Sequence, residues 1–293
     1  WDPELFAHIT DLEWLAGLLV EGFLIGMHRS HLRGFSAEFA EYKSYTQGED
    51  LRYLDWKALA RLDRLYIRKF ESDTNLTALL LMDGSGSMAY ASSSNVKPKH
   101  AYSSALAAAL ARLLLKQHDA CGVAISSEQG IGTMEAPRSG PHHFYQLLAT
   151  LSQATYSGNG RLEESLRATG LTLKHPSQVI LFTDGMQPLD GLEKELSLLR
   201  LNHHEVSLLQ VLDPVEVDFN LQDSGIYEDM ETGMHMEVTP EWIRESYLKA
   251  LEKHQRKLRE ICHLHGVYYA RIRTDEAPFQ AMAGCLAQRN KLI

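Results

Sequence analysis

Residues 80–88 read LLMDGSGSM, and this stretch decides the fold class that the sequence predicts. An apolar run, the predicted strand 76–82, ends at Asp83, and the hydroxyls of Ser85 and Ser87 follow at alternate positions. A continuous apolar run of this length is typical of a strand that is buried on both faces, as in a parallel sheet covered by helices. A buried strand that ends in one carboxylate and two hydroxyls therefore indicates both a sheet and a candidate site.

Further apolar runs alternate with helical segments along the chain. The other predicted strands cover residues 121–126, 178–182, 205–211 and 267–271. The predicted helices cover residues 98–116, 141–154, 162–169, 189–202 and 240–265. This alternation predicts an α/β domain with a doubly wound, mainly parallel sheet, which we assign to residues 75–293.

Two regions interrupt the alternation. Residues 1–74 begin with apolar residues at helical spacing and continue with a segment rich in charge and aromatics, which predicts an N-terminal helix followed by a small β-rich cassette. Residues 213–239 predict an inserted hairpin, with its turn at Glu231-Thr232-Gly233. We expect the cassette and the hairpin to form a second, smaller lobe together.

The composition is that of an ordinary folded protein of 293 residues, with 44% hydrophobic and 23% charged residues. The net charge of -9 argues against general binding to nucleic acid or anionic lipid. Cys121, Cys262 and Cys285 lie far apart, which argues against a disulfide framework and a thiolate zinc site. These features favour a reducing, cytoplasmic compartment.

The sequence also bears on membrane association. Its most apolar window, residues 14–27, is short for a membrane span and contains Glu21, so we expect no span in this chain. The sequence begins at Trp1 rather than at Met, which leaves open a targeting segment upstream.

Two aspartates follow predicted strands. Asp83 follows strand 76–82, and Asp184 follows strand 178–182. Because ligands of an open α/β sheet collect at the carboxyl ends of its strands, we expect the two carboxylates to be neighbours there, together with Ser85 and Ser87. Carboxylate and hydroxyl oxygens favour Mg²⁺ or Mn²⁺ over zinc or copper, so the sequence predicts a site for one of those two ions.

The pattern Asp83-x-Ser85-x-Ser87, with Asp184 in a Thr-Asp-Gly turn, resembles the metal-ion-dependent adhesion site of von Willebrand factor A domains. The resemblance implies that the serine hydroxyls bind the metal directly and that the aspartates act directly or through water. It also implies that an acidic side chain of a partner protein completes the coordination. The family usually supplies a threonine where this sequence has Gly160, which predicts a weakened site, and Arg161 could add a competing positive charge.

A second resemblance covers nearly the whole chain. Its motifs are Gly34-x-x-x-Glu38-Phe39, Tyr45-x-x-Gly48-Glu49-Asp50-x-Arg52, Asp55-Trp56-Lys57, Ala60-Arg61 and, in the insert, Glu228-Asp229-x-Glu231-x-Gly233. They resemble the signature of bacterial domain-of-unknown-function family 58, which joins such a cassette to a von Willebrand factor A-like domain. Members are often associated with MoxR-type AAA+ ATPases, and the resemblance implies an adaptor that helps such an ATPase act on client proteins.

The cassette and the loop at Arg161 supply the candidate partner-contacting residues. These are Arg161, Glu49, Asp50, Arg52 and Trp56. The alternative is that the charged residues of the cassette pair with one another and that Trp56 anchors the cassette to the main domain.

Two other functions stay open beside the non-enzymatic adaptor. An Mg²⁺ ion held by two carboxylates also serves phosphoryl transfer, so a metal-dependent phosphate-ester hydrolase is the enzymatic alternative. The sequence has no phosphate-binding loop and no nucleophile-elbow motif to support it. The other alternative is a structural scaffold whose interactions do not depend on metal.

Overall fold

The structure is a computed structural model that describes residues 6, 8–29, 42–44, 66–68, 76–221 and 224–289. The chain divides into two compact units, Met27–Asn75 and a larger unit of Trp1–Gly26 with Leu76–Ile293. In chain order the described elements are α1 (Leu12–Arg29), β1 (Tyr42–Ser44), β2 (Tyr66–Arg68), β3 (Thr77–Met82), α2 (Lys99–Lys116), β4 (Ala120–Ser127), β5 (Gly130–Arg138), α3 (Pro141–Ser152), α4 (Leu162–Thr172), β6 (Gln178–Thr183), α5 (Leu189–Leu201), β7 (Glu205–Leu212), α6 (Pro214–Asp218), β8 (Gly225–Glu228), β9 (His235–Val238), α7 (Pro240–Leu264), β10 (Tyr268–Arg273) and α8 (Phe279–Arg289). Strands β1 and β2 of the smaller unit pair in antiparallel fashion.

The larger unit is built on a six-stranded sheet with the strand order β10-β7-β6-β3-β4-β5. Its pairings are parallel except that of β4 with the edge strand β5. Strand β3, which ends immediately before Asp83, lies in the middle of the sheet between β6 and β4. This arrangement confirms the predicted doubly wound, mainly parallel α/β fold.

Both faces of β3 are buried, which explains why its sequence is apolar without alternation. Leu79 and Leu81 belong to a buried cluster that also contains apolar side chains of α4, α5 and α7. Leu80 and Met82 point to the opposite face and are also fully buried. Helix α2 packs against β3 and β4 with its own set of buried alanine and leucine side chains.

Most of the N-terminal helix, up to Gly26, belongs to the larger unit, whereas the sequence alone groups residues 1–74 together. The ring of Phe6 lies edge-on to that of Tyr102, with 5.8 Å between the ring centroids. The Lys97 ammonium donates a hydrogen bond of 2.6 Å to the carbonyl oxygen of Ile9. The apolar side of α1 is buried through Leu19 and Phe23, and this burial accounts for the different grouping.

The insert contains the antiparallel hairpin of β8 and β9, in which Tyr227 lies opposite Met236. Its turn is held by the Asp229 carboxylate, which accepts hydrogen bonds from the backbone N–H groups of Glu231 at 2.8 Å and Thr232 at 3.1 Å. Gly233 has a positive φ of 68°, a conformation that glycine adopts without steric cost. The hairpin belongs to the larger unit.

Among the described residues, none of the helices combines the length and the apolar character that crossing a bilayer requires.

Candidate metal centre

The two predicted aspartates lie at the same edge of the sheet. Strands β3 and β6 pair in parallel with Met82 opposite Phe182, so Asp83 and Asp184 leave the sheet on neighbouring strands. The backbone N–H of Asp83 donates a hydrogen bond of 2.9 Å to the Phe182 carbonyl oxygen, which fixes this edge. Both carboxylates are buried.

The Asp83 carboxylate is fixed by two hydrogen bonds. Its Oδ1 accepts from the backbone N–H of Ser85 at 3.0 Å, and its Oδ2 accepts from the Thr183 hydroxyl at 2.6 Å. Gly84, between Asp83 and Ser85, lies very close to β4. A Cβ at this position would come within 2.0 Å of the Ser126 carbonyl oxygen. The glycine in Asp-Gly-Ser therefore allows the loop to turn tightly over the end of the sheet.

The two serines face the same small space. The Oγ atoms of Ser85 and Ser87 are 3.1 Å apart. The Ser87 hydroxyl also acts to lower the pKa values of the Asp184 and Glu231 carboxylates. The predicted quartet of two serines and two aspartates is thus assembled around one point.

The pKa values of the two aspartates are pushed apart. Burial, followed by the negative charge of Asp184, raises the pKa of Asp83 to about 6. Burial also acts to raise the pKa of Asp184, but the Lys99 ammonium, the Ser87 hydroxyl and the Met186 backbone N–H together hold that pKa below its usual value. Asp184 has a basic side chain beside it, whereas hydrogen bonds alone stabilise the Asp83 carboxylate.

Lys99 is a residue of this site that the sequence does not reveal. From the first turn of α2, its ammonium donates to Asp184 Oδ2 at 2.9 Å and to Glu216 Oε1 at 2.6 Å. The lysine is completely buried, and the two carboxylates keep its pKa above the ordinary value although burial acts in the opposite direction. The one available signal was a lysine in the first turn of a helix rich in alanine and leucine.

Gly160 approaches the site so closely that it excludes a side chain. A Cβ at this position would lie 2.8 Å from both Asp83 Oδ1 and the Ser85 backbone nitrogen. The backbone of the neighbouring loop supports the same approach, because the N–H of Gly86 donates to the Gly158 carbonyl oxygen at 2.9 Å. The close contact between the two loops therefore leaves no room for the threonine that von Willebrand factor A domains usually have at this position.

Of the predicted partner-contacting residues, the structure describes Arg161. The exposed Arg161 guanidinium pairs with Glu164 at 3.2 Å, so its charge is directed to a neighbour on α4. Glu49, Asp50, Arg52 and Trp56 lie outside the described residues.

A cavity of about 410 Å³ opens beside the quartet. Ser87 lines it on the side of the sheet edge, Glu216 contributes from α6, and Met230 and Glu231 contribute from the hairpin. An acidic side chain of another molecule has room to enter here.

The donor set suits a hard divalent cation. Two hydroxyls and two carboxylates supply oxygen atoms alone, which Mg²⁺ and Mn²⁺ prefer. Burial of Asp83 beside a second carboxylate is a charge arrangement that such a cation relieves. Within the described ranges, no group of three or more His, Cys, Asp or Glu side chains is arranged to hold a metal, so a metal centre here has to use the serine hydroxyls.

Comparison with known proteins identifies the family. The profile described as "Protein of unknown function DUF58" matches residues 41–257, well over half of the chain. The chain belongs to the DUF58 family. An uncharacterised protein of Mycobacterium bovis and one of Mycobacterium tuberculosis H37Rv are each 25% identical to this DUF58 protein over 278 residues, which cover 94% of this chain and 86% of theirs.

Solved structures were also compared with this DUF58 protein. An aerotolerance-related membrane protein from Bacteroides fragilis, crystallised with multiple mutations to serine, superposes with a TM-score of 0.50 at 13% identity, over 73% of this chain and 98% of that chain. The VWA domain of SpRpn10 matches with a TM-score of 0.39 at 9% identity, over 70% of this chain and 92% of that chain. The likeness to the first of these structures shows the fold of the larger unit alone.

Proposed function

We propose that this DUF58 protein is a non-enzymatic, cytoplasmic adaptor that binds other proteins through a metal-ion-dependent adhesion site. The observation that carries the proposal is the convergence of Asp83, Ser85, Ser87 and Asp184 at one strand edge, beside an open cavity. The resemblance of the cassette and the insert to MoxR-associated proteins supports a MoxR-type AAA+ ATPase, or its client, as the partner.

Each residue of the site has a distinct part in this proposal. Ser85 and Ser87 supply hydroxyl ligands, and Asp83 and Asp184 act directly or through water. A bound Mg²⁺ or Mn²⁺ supplies an open coordination position for a carboxylate of the partner. Thr183 orients Asp83, and Lys99 orients Asp184 while balancing its charge.

Isothermal titration of Mg²⁺ and Mn²⁺ into chelator-treated protein tests the metal site. We expect saturable heat from the wild type and none from Asp83→Ala, because the variant lacks the central carboxylate. Asp190→Ala is the matched control, since its highly exposed carboxylate pairs with Lys257 away from the quartet. Wild-type heat that equals that of Asp83→Ala up to millimolar ion would contradict the metal-dependent adaptor.

The two alternatives have their own readouts. Turnover of a phosphate ester that disappears in Asp83→Ala would favour the hydrolase. Capture of the ATPase that is equal with and without chelator would favour the metal-independent scaffold. The adaptor is expected to show no turnover and a partner interaction that chelator weakens.

A further inference from the structure

We propose that Glu231, at the tip of the β8–β9 hairpin, is a further oxygen ligand of this metal centre and compensates for the absent side chain at Gly160. This inference rests on the proposed function, because it requires a cation at Ser85 and Ser87. It gives the hairpin a specific task, which is to close one side of the site with a carboxylate.

The hairpin tip lies directly against the loop that carries the serines. A Cβ at Gly86 would come within 2.4 Å of the Met230 carbonyl oxygen, so the backbones of the two segments are in close contact. Glu231 follows Met230, and its side chain lines the same cavity as Ser87 and Glu216. Two of the backbone N–H groups of the turn are bound by Asp229, which fixes the position from which Glu231 extends.

The Ser87 hydroxyl has too few protons for its neighbours. Its oxygen lies 3.1 Å from Ser85 Oγ, and the hydroxyl acts to lower the pKa values of both the Asp184 and the Glu231 carboxylates. A serine hydroxyl carries one proton and can satisfy one acceptor at a time. A cation held by these oxygens would bind the lone pairs that receive no hydrogen bond from the single proton.

The charges around the cavity favour a cation on the hairpin side. Glu216 and Glu231 both line the cavity, and the negative charge of Asp184 acts to raise the pKa of Glu231. The Lys99 ammonium forms its hydrogen bonds with Asp184 and Glu216, and Glu231 lines the cavity together with Ser87. Since the described carboxylates do not form a three-carboxylate metal cluster, Glu231 is placed beside the hydroxyl ligands, with the aspartates completing the site partly through water.

The alternative role for Glu231 is that of a turn residue whose carboxylate accepts a hydrogen bond from Ser87. The two roles predict different responses to metal. A ligand changes metal affinity and ties the hairpin to the ion, whereas a turn residue changes neither. The distinction requires one measurement on the metal and one on the hairpin.

The experiment combines titration of Mg²⁺ and Mn²⁺ with hydrogen exchange of the hairpin, using wild type, Glu231→Gln and Glu228→Gln. Glu228→Gln is the matched control, because Glu228 is an exposed residue of the same hairpin. We expect Glu231→Gln to bind the ion about tenfold or more weakly, within the range seen when a residue supporting a metal site is lost. We also expect metal to slow exchange of the hairpin amides in wild type and in Glu228→Gln but not in Glu231→Gln.

The outcomes separate this inference from the proposed function. Saturable binding that Asp83→Ala loses and Glu231→Gln retains at wild-type affinity, with unchanged hairpin exchange, would overturn the role of Glu231 and leave the metal site standing. Absence of saturable binding to the wild type would overturn both. Equal melting temperatures of Glu231→Gln and wild type in chelator exclude misfolding as the cause of weaker binding.

Discussion

Asp83 and Asp184 illustrate how two identical side chains acquire different properties from their surroundings. Both are buried at the end of a strand, and they repel each other. Asp184 is neutralised by the Lys99 ammonium, whereas Asp83 depends on the Thr183 hydroxyl and the Ser85 backbone N–H. In the absence of metal, Asp83 is therefore the carboxyl group that accepts a proton first.

The raised pKa of Asp83 predicts how stability changes with pH in chelator. The folded state binds this proton more tightly than the unfolded state, so the stabilisation is complete below the ordinary pKa of 3.8 and is lost as pH rises through about 6. The loss amounts to about 3 kcal/mol, since one pKa unit corresponds to about 1.4 kcal/mol. Thermal melts should show Asp83→Asn to be more stable than wild type at about pH 8 and equal to it at about pH 4. A stability difference that does not vary with pH would contradict the raised pKa.

The buried lysine gives a second prediction at this scale. Lys99→Met leaves Asp184 and Glu216 without their cation and should lower the free energy of unfolding by about 3–5 kcal/mol, as expected when one partner of a buried ion pair is removed. Lys257→Met is the control, because the exposed Lys257–Asp190 pair should contribute about 1 kcal/mol or less. Denaturant unfolding in chelator measures both variants, and equal effects would refute the structural role of Lys99.

At the scale of elements, the contact between two loops determines what position 160 can hold. The Ser157 N–H donates to the Gly84 carbonyl oxygen at 3.1 Å, and the Gly86 N–H donates to that of Gly158 at 2.9 Å. These bonds fix the loop after α3 against the loop after β3. Gly160 therefore meets the Asp83 carboxylate and the Ser85 backbone with no space for a Cβ.

Gly160→Thr is accordingly expected to damage the site rather than restore the ligand usual in the wider family. Overpacking of this kind costs about 1–3 kcal/mol of stability, and the displaced Ser85 should bind metal more weakly. Gly225→Thr serves as the control, because nothing lies within 4 Å of a Cβ at that position. Unfolding curves and metal titrations of the two variants provide the comparison. Tighter metal binding by Gly160→Thr would show that the loops can separate to admit the side chain.

The strands that the sequence predicted well are those covered on both faces. β3 and β6 are apolar apart from their terminal residues because neither face meets water. The edge strand β5 was not predicted, since it contains glycine and proline and mixes exposed with half-buried residues. Helix α8, which packs on β10 and β7, was also missed, because its small residues carry little periodic signal.

The residues of the candidate site also differ in whether the sequence predicts them. Asp83, Ser85, Ser87 and Asp184 were predictable because each directly follows a recognisable strand. Lys99 and Glu231 were not, because their roles depend on contacts across the fold. Lys99 meets Asp184 from 85 positions away and Glu216 from 117 positions away, and no local pattern encodes such pairing.

At the scale of the whole molecule, the larger unit places several of its buried charges together at one edge of a largely apolar sheet. Asp83, Lys99 and Asp184 lie together there, beside the cavity that Glu216 and Glu231 also line. Elsewhere the sheet packs leucine, valine and alanine against its helices. Stability thus comes mainly from the apolar layers, while the polar edge is available for recognition.

The buried bridge from Lys99 to Asp184 and Glu216 has a consequence for folding. Contacts between segments so far apart in sequence form late, because loop closure must precede them. A chain that ends before α6 retains Asp83 and Asp184 but leaves Lys99 with a single carboxylate. If the proposed function holds, a partner that docks at this edge would discriminate against molecules truncated before α6, because they lack one carboxylate of the bridge.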